Sequence, residues 1–470
     1  MSSTLPQVSN LREGLIRGIA VSQKAENSKR HALRRALLVG VAFILGFVVL
    51  GVAAIQTWEY SNSSDFCANV CHDVHPEEPS SYHDSYHANV KCTECHMGRV
   101  GTLEAIALKA SHARHLPAVL LGQYGRPLES ETMRPASESC ERCHWPPAPH
   151  GDTVVEARRF QPDEANTERR TYLILRTGDD AGAADKGSNI HWHIANPVEY
   201  IATDEHKQTI RWVRVTLPDG RTVEYNDAAN PLSPEEIAQA EKRTMDCTDC
   251  HNRVGHPFPS PEQLVDEALA EGRLSPDLPY AKKEMLALLT TPYTSQEEAL
   301  TAVESVEERY KAAYPEIAAS HEAEIRQAAD LAKELVSRLV FEKPGVTWQS
   351  FPDEGQHKDF PGCFRCHDGQ HLTAEGEPIR LTCDLCHNVP QTVGAEDAPP
   401  MAALAYVEEP ESHLEANFIA DHRFQAGDEC AECHGEIAFG RDDSSFCANS
   451  VCHGQTWPEI ELDAGQPHPI

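Results

Sequence analysis

The sequence predicts a protein with one N-terminal transmembrane helix, followed by a mainly α part with much irregular structure and a small β insert. Three observations carry that expectation. Residues 36–55 form an apolar run without a charge, and a bilayer core of about 30 Å needs roughly 20 such residues of helix to cross it. All 16 cysteines lie beyond the run and fall into eight pairs, each closed at once by a histidine. Residues 209–225 alternate between apolar and polar and turn at Asp219-Gly220, the pattern of a β-hairpin.

The apolar run reads as an uncleaved anchor. Arg12, Arg17, Lys24, Lys29, Arg30, Arg34 and Arg35 precede it. The positive-inside rule then puts the N-terminus in the cytoplasm and residues 57–470 on the periplasmic or extracytoplasmic side of the inner membrane. A cleaved signal peptide would have a shorter apolar region and a shorter charged leader. No second run of comparable length follows, so the bulk of the 470 residues is expected to be soluble and to form more than one domain. The net charge of −32 argues against nucleic acid or an anionic membrane surface as partner and admits a basic redox protein.

The cysteine pairs carry the chemistry. They are Cys67/Cys71, Cys92/Cys95, Cys140/Cys143, Cys247/Cys250, Cys363/Cys366, Cys383/Cys386, Cys430/Cys433 and Cys447/Cys452, followed by His72, His96, His144, His251, His367, His387, His434 and His453. C-x-x-C-H is the attachment motif for c-type haem: two thiols form thioethers to the porphyrin vinyl groups, and the adjoining histidine reaches the iron. A disulfide scaffold has no need of a histidine after every pair, and zinc sites would couple the pairs in twos with sparse histidine. Two motifs carry extra residues, Cys67-Ala-Asn-Val-Cys71-His72 and Cys447-Ala-Asn-Ser-Val-Cys452-His453, and they echo one another. Eight covalent haems, numbered here in chain order, are therefore expected in a multihaem cytochrome c.

An iron that only relays electrons takes a second strong axial ligand. Of 25 histidines, eight close motifs and His31 precedes the span, which leaves 16. The distal candidates are His87, His112, His115, His191, His193, His256, His357, His371, His413 and His422. His112 and His115 share a helical stripe with Leu108 and Val119. His191 and His193 would share one face of an extended segment.

The expected division is a cytoplasmic tail at 1–35, the anchor at 36–56, a trihaem domain at 57–150, a β-rich insert at 151–246, haem 4 with a helical segment at 247–345, and a tetrahaem segment at 346–470. Residues 261–340 are rich in Ala, Glu and Leu and read as two or three helices.

Span, paired motifs, helix and third motif together resemble the NapC/NirT family of membrane-anchored quinol dehydrogenases. The matching residues are Cys71-His72, Pro76, Ser85-Tyr-His87, Val90-Lys-Cys92-Thr-Glu-Cys95-His96, Lys109-Ala110 and Cys140-Glu-Arg-Cys143-His144. The likeness covers residues 36–150. Beyond it, the stretches around His191-Trp-His193, Cys247 and Cys363 resemble large multihaem members of metal- and sulfur-respiring bacteria. The resemblance implies oxidation of quinol, menaquinol or ubiquinol, near the membrane surface and onward transfer through further haems. Small members carry a methionine two residues past the first motif histidine. Val74 stands there, so a nitrogen or weak oxygen ligand is expected opposite His72, with His112 before His83. They also carry an aspartate shortly after the helix Lys-Ala, where this chain reads Lys109-Ala-Ser-His112-Ala113. Lys91, Lys109, His83 and His87 are the candidates for lining the quinol pocket.

The reading is thus an octahaem quinol dehydrogenase and electron conduit that draws on the quinone pool and feeds a periplasmic or extracytoplasmic redox protein. Its alternatives are a terminal reductase of nitrite, hydroxylamine or a sulfur oxyanion, and a passive wiring subunit of a larger complex. A terminal reductase needs an open iron, which some advertise by a lysine in place of a motif histidine; none of the eight motifs here has one.

Overall fold

The computed structural model describes residues 7–71, 76–112, 133–144, 151–178, 189–341, 346–382, 385–388 and 390–397, with positions 117, 121, 123 and 460; the side chains of 7–28, 70, 71 and 112 fall outside that description. The chain divides into two compact units, Met1–Cys71 and His72–Ile470.

The first unit is one helix, Gln7–Ser61, of 55 residues. Its stretch Lys29–Ser61 is long and apolar enough to cross a membrane, and none of its most apolar window is buried. Phe47 is 75 % exposed, and Leu38, Phe43 and Leu50 stand out beside it. So much bare hydrocarbon is stable against lipid and not against water. Ser63 then caps the start of a short helix, Ser64–Phe66, by accepting from the Phe66 amide at 3.1 Å. A π-turn over Cys67–Cys71 follows. Its wider turn absorbs the extra residue of the first motif.

The second unit holds two antiparallel sheets. Strands β1 (Thr153–Phe160), β2 (Glu168–Leu175) and β8 (Gln391–Gly394) form one, in the order β1-β2-β8. The other, in the order β6-β3-β4-β5-β7, is made of β3 (Val198–Ala202), β4 (Ile210–Thr216), β5 (Thr222–Asp227), β6 (Arg243–Thr244) and β7 (His371–Leu372). The expected hairpin is β4-β5, closed at Gly220, whose φ of +84° is the left-handed geometry that glycine supplies without strain. Val198, Tyr200, Ile210 and Val213 pack one face of this sheet. The β structure is not confined to 151–246, since β7 and β8 come from the C-terminal segment and complete both sheets.

Residues 261–339 form six helices rather than two or three: Pro261–Ala270, Ala281–Leu289, Gln296–Val303, Val306–Ala313, Pro315–Ser320 and Glu322–Leu339. Local caps cut the helical pattern. Ser260 and Gln263 make a capping box, Ser295 caps the third helix and Pro315 opens the fifth. Leu264, Ala268, Leu278, Val303 and Leu335 are wholly buried at the centre. Lys282 pairs with Asp266 at 2.7 Å in that interior. Asp266 also accepts from the Phe160 amide at 3.1 Å, which fastens the bundle to β1.

Candidate functional site

Each described C-x-x-C-H motif closes a single helical turn. The amides of His144, His251 and His367 donate to the carbonyls of Cys140, Cys247 and Cys363 at 3.0, 2.8 and 3.0 Å. Residues three and four apart on a turn share a face, so both thiols and the imidazole come to one side. Cys92–His96 does the same as a short α-helix.

Four motif histidines face a second histidine from a remote segment. Ring centres lie 6.2 Å apart for His96 and His256, 6.0 Å for His87 and His144, 5.8 Å for His193 and His367, and 6.1 Å for His357 and His387. For the fifth, His251, burial above all and then the nearby His191 and His144 hold the imidazole below its ordinary range. His191 and His193 do not share a face. His193 lies in the short helix Trp192–Ala195 that His191 caps. Two residues along a helix is a rotation of about 200°, which turns the two rings to opposite sides.

Backbone carbonyls fix these rings. Nδ1 of His256 donates to Glu78 at 2.9 Å, His87 to Val254 at 3.1 Å, His193 to Ile190 at 2.9 Å, His367 to Arg380 at 2.7 Å and His387 to Asn388 at 2.6 Å. His191 donates to Thr177 at a longer 3.4 Å. Each bond takes up Nδ1 and leaves Nε2 for a metal. Burial, with His193 second, pushes His367 down to about 4. Burial also lowers His193 and His357. Neutral imidazole is the form that binds metal.

The donor set fits c-type haem. Two imidazoles that were to hold one iron through their Nε2 atoms would stand with ring centres about 6 Å apart. Four measured separations fall at that value, each beside a pair of motif cysteines.

The described motifs also form a succession. Arg142 of motif 3 makes an ion pair with Glu94 of motif 2. The thiol of Cys95 is pushed up by burial first and then by Cys140, and that of Cys247 by burial and then by Cys140. Asp246, just before motif 4, accepts from the Ala136 amide near motif 3 at 3.3 Å. Arg365 of motif 5 donates to the Asp249 carbonyl of motif 4 at 2.8 Å. Cys386 is the first cause that holds the Cys363 thiol down to about 7, so motifs 5 and 6 are neighbours. Motif 6 docks at the end of β2, where the amide of Arg176, the next residue, donates to the Cys386 carbonyl at 2.8 Å. Motifs 2 to 6 thus touch in chain order.

His371 is a correction. Its Nδ1 lies 3.0 Å from the Asp368 carboxylate and its Nε2 3.0 Å from the Ile210 carbonyl. With both nitrogens engaged and the residue only 2 % exposed, His371 ties β7 to β4 and has no lone pair to offer iron. Of the residues expected around quinol, His83 and Lys91 are exposed, Lys109 is half-buried, and His87 is turned to His144. The side chains of Cys71 and His112, and residues His72, His115, Cys383, His413, His422, Cys430, Cys433, His434, Cys447, Cys452 and His453, lie outside the described residues. Sequence reasoning missed Arg142 and Arg365. A charged side chain between the two cysteines was the available signal.

Residues 28–148 match the N-terminal region of the NapC/NirT cytochrome c family. The cytochrome c-type protein ImcH of Geobacter sulfurreducens is 38 % identical over 362 residues, which cover 76 % of this chain and 71 % of that protein. No solved structure matches the chain. Motifs, facing histidines and these likenesses agree: the chain belongs to the NapC/NirT cytochrome c family and is a membrane multihaem c-type cytochrome that transfers electrons.

Proposed function

We propose that the chain is an octahaem quinol dehydrogenase, held in the inner membrane by one span with its N-terminus inside, that oxidises menaquinol and passes the electrons to a periplasmic or extracytoplasmic redox protein. The observation that carries this reading is the contact between successive motifs from 2 to 6, in a chain whose first motif directly follows the membrane helix. When bound, the haems supply one-electron redox chemistry.

The protein's residues do the rest. Sixteen cysteines would hold the rings. The histidines that would hold the irons in this reading are the pairs His96/His256, His144/His87, His251/His191, His367/His193 and His387/His357. Carbonyl acceptors on Nδ1 keep His87, His191, His193, His256, His367 and His387 in one tautomer and one orientation. Lys91, Lys109 and His83 remain as the lining of the quinol pocket, while His87 goes to haem 3. Electrons enter beside the span and leave from the last four motifs, with haem 8 the first choice. A terminal reductase requires an iron with a free face. Among the described residues four of the five motif histidines face a second histidine, and the fifth, His251, lies within electrostatic reach of His191, which favours relay.

The test is a chain lacking residues 1–56, with eight haems verified by intact mass. Its reduction by a lipophilic menaquinol in membranes should collapse, while reduction by dithionite stays complete. Reduction by menaquinol at the full rate would sink entry beside the span.

A further inference from the structure

Arg365 stands between the two cysteines of motif 5 and is only 8 % exposed. Its Nη2 donates to the carbonyl of Asp249 at 2.8 Å, its Nε to that of Gly362 at 2.9 Å, and its Nη1 to that of Lys207 at 3.2 Å. Asp249 stands at the matching position of motif 4. The guanidinium therefore bridges the turns that carry Cys250 and Cys363.

Its counter-charge is Glu354, 2.7 Å away and 5 % exposed. Glu354 is tied to motif 4 as well, because its amide donates to Asn252, next to His251, at 3.1 Å. Gln208 also contacts the Glu354 carboxylate. A buried ion pair is seldom worth its desolvation as a source of stability alone. In a low-dielectric interior, however, each of its charges acts strongly on any nearby group whose own charge changes. The groups bracketed here are the haem-attachment motifs 4 and 5.

We infer that Arg365 and Glu354 are positioning residues that set the relative reduction potentials of haems 4 and 5, the guanidinium favouring the electron-rich state and the carboxylate opposing it. This rests on haem occupying motifs 4 and 5. The two residues lie on opposite sides of an electrostatic balance, so their loss moves the potentials in opposite directions. A merely structural clamp would move both variants the same way, since either loss loosens the same joint.

The experiment is spectropotentiometric titration at pH 7.5 of the full chain in detergent, comparing wild type with R365Q, R365K and E354Q. Haem number is counted by intact mass in each. R365Q should move a subset of haems to lower potential by about tenfold in the one-electron equilibrium constant, which is 59 mV. E354Q should move the same subset upward. R365K keeps the charge without the fork and should stay near wild type. If R365Q fails to mature, the upward shift in E354Q carries the test alone. Shifts of the same sign in both glutamine variants, or no shift in E354Q with all haems attached, overturn the inference. Wild-type protein without haem at motif 4 or 5, shown by peptide mass mapping, would instead remove the reading on which it rests.

Discussion

His256 faces His96 with 6.2 Å between ring centres, while its Nδ1 donates to the Glu78 carbonyl at 2.9 Å. It stands only a few residues past motif 4 in the chain, yet the fold turns it to motif 2. The Ser81 hydroxyl sits 3.5 Å from the same nitrogen, so the segment just before motif 2 grips the ring. Alanine at 256 should therefore convert one low-spin haem to high spin and open one carbon monoxide site, with the haem count unchanged. Absorption and electron paramagnetic resonance spectra that match wild type would remove the pairing.

His191 and His193 should behave as ligands of different haems. The first neighbours His251 and the second faces His367 at 5.8 Å. Each single alanine variant should then yield one high-spin haem, and the double variant two. A double variant with only one high-spin haem would mean that one of the two rings serves the fold alone.

Substitution of His371 by alanine should leave every haem low-spin and weaken the fold. Its removal strands the Ile210 carbonyl in the sheet interior and takes one partner from the Asp368 carboxylate, which keeps the Gln370 and His371 amides. An unsatisfied buried partner costs about 1–3 kcal/mol, more when it is charged. Thermal unfolding of the holoprotein reads the loss. A new high-spin signal in this variant would return His371 to the ligands.

How much of this was legible follows from the range of each constraint. Covalent attachment fixes cysteine and histidine within one turn, so the motifs declare themselves locally. The Asp219-Gly220 turn did the same for the β4-β5 hairpin. Distal partners come from tertiary contact: nothing near His96 names His256, and nothing near His387 names His357. His371 misled because chain proximity to a motif imitates ligation, whereas its neighbours Asp368 and Ile210 are what fix its role. The helical segment was undercounted because a continuous Ala/Glu/Leu composition hides its caps, and Ser295 and Pro315 were the marks to weigh. The charged middles of motifs 2 to 5, Glu94, Arg142, Asp249 and Arg365, became meaningful only once the fold had set them against one another.

Gly362 is the residue on which motif 5 turns, and it gives the last prediction. It lies immediately before Cys363 with φ +53°. A Cβ there would sit 1.9 Å from the Gln356 carbonyl oxygen and 2.9 Å from its carbon. Both are backbone atoms of the loop that leads from Glu354 toward His357, so no side chain can swing aside to make room. The left-handed backbone alone costs an L-residue about 1–2 kcal/mol, and the collision adds to that. The Gly362 carbonyl also receives the Arg365 Nε at 2.9 Å, so a shifted turn loses that anchor as well. In G362A, intact mass should show one haem fewer than the parent, and any fully loaded fraction should melt at lower temperature. The matched control is G376A, where φ is +91° but nothing lies within 4 Å of the new Cβ. It bears the backbone strain without the collision and should retain every haem. G362A with a full haem count and parental melting would show that the turn before Cys363 can rearrange, and that the collision does not constrain attachment at motif 5.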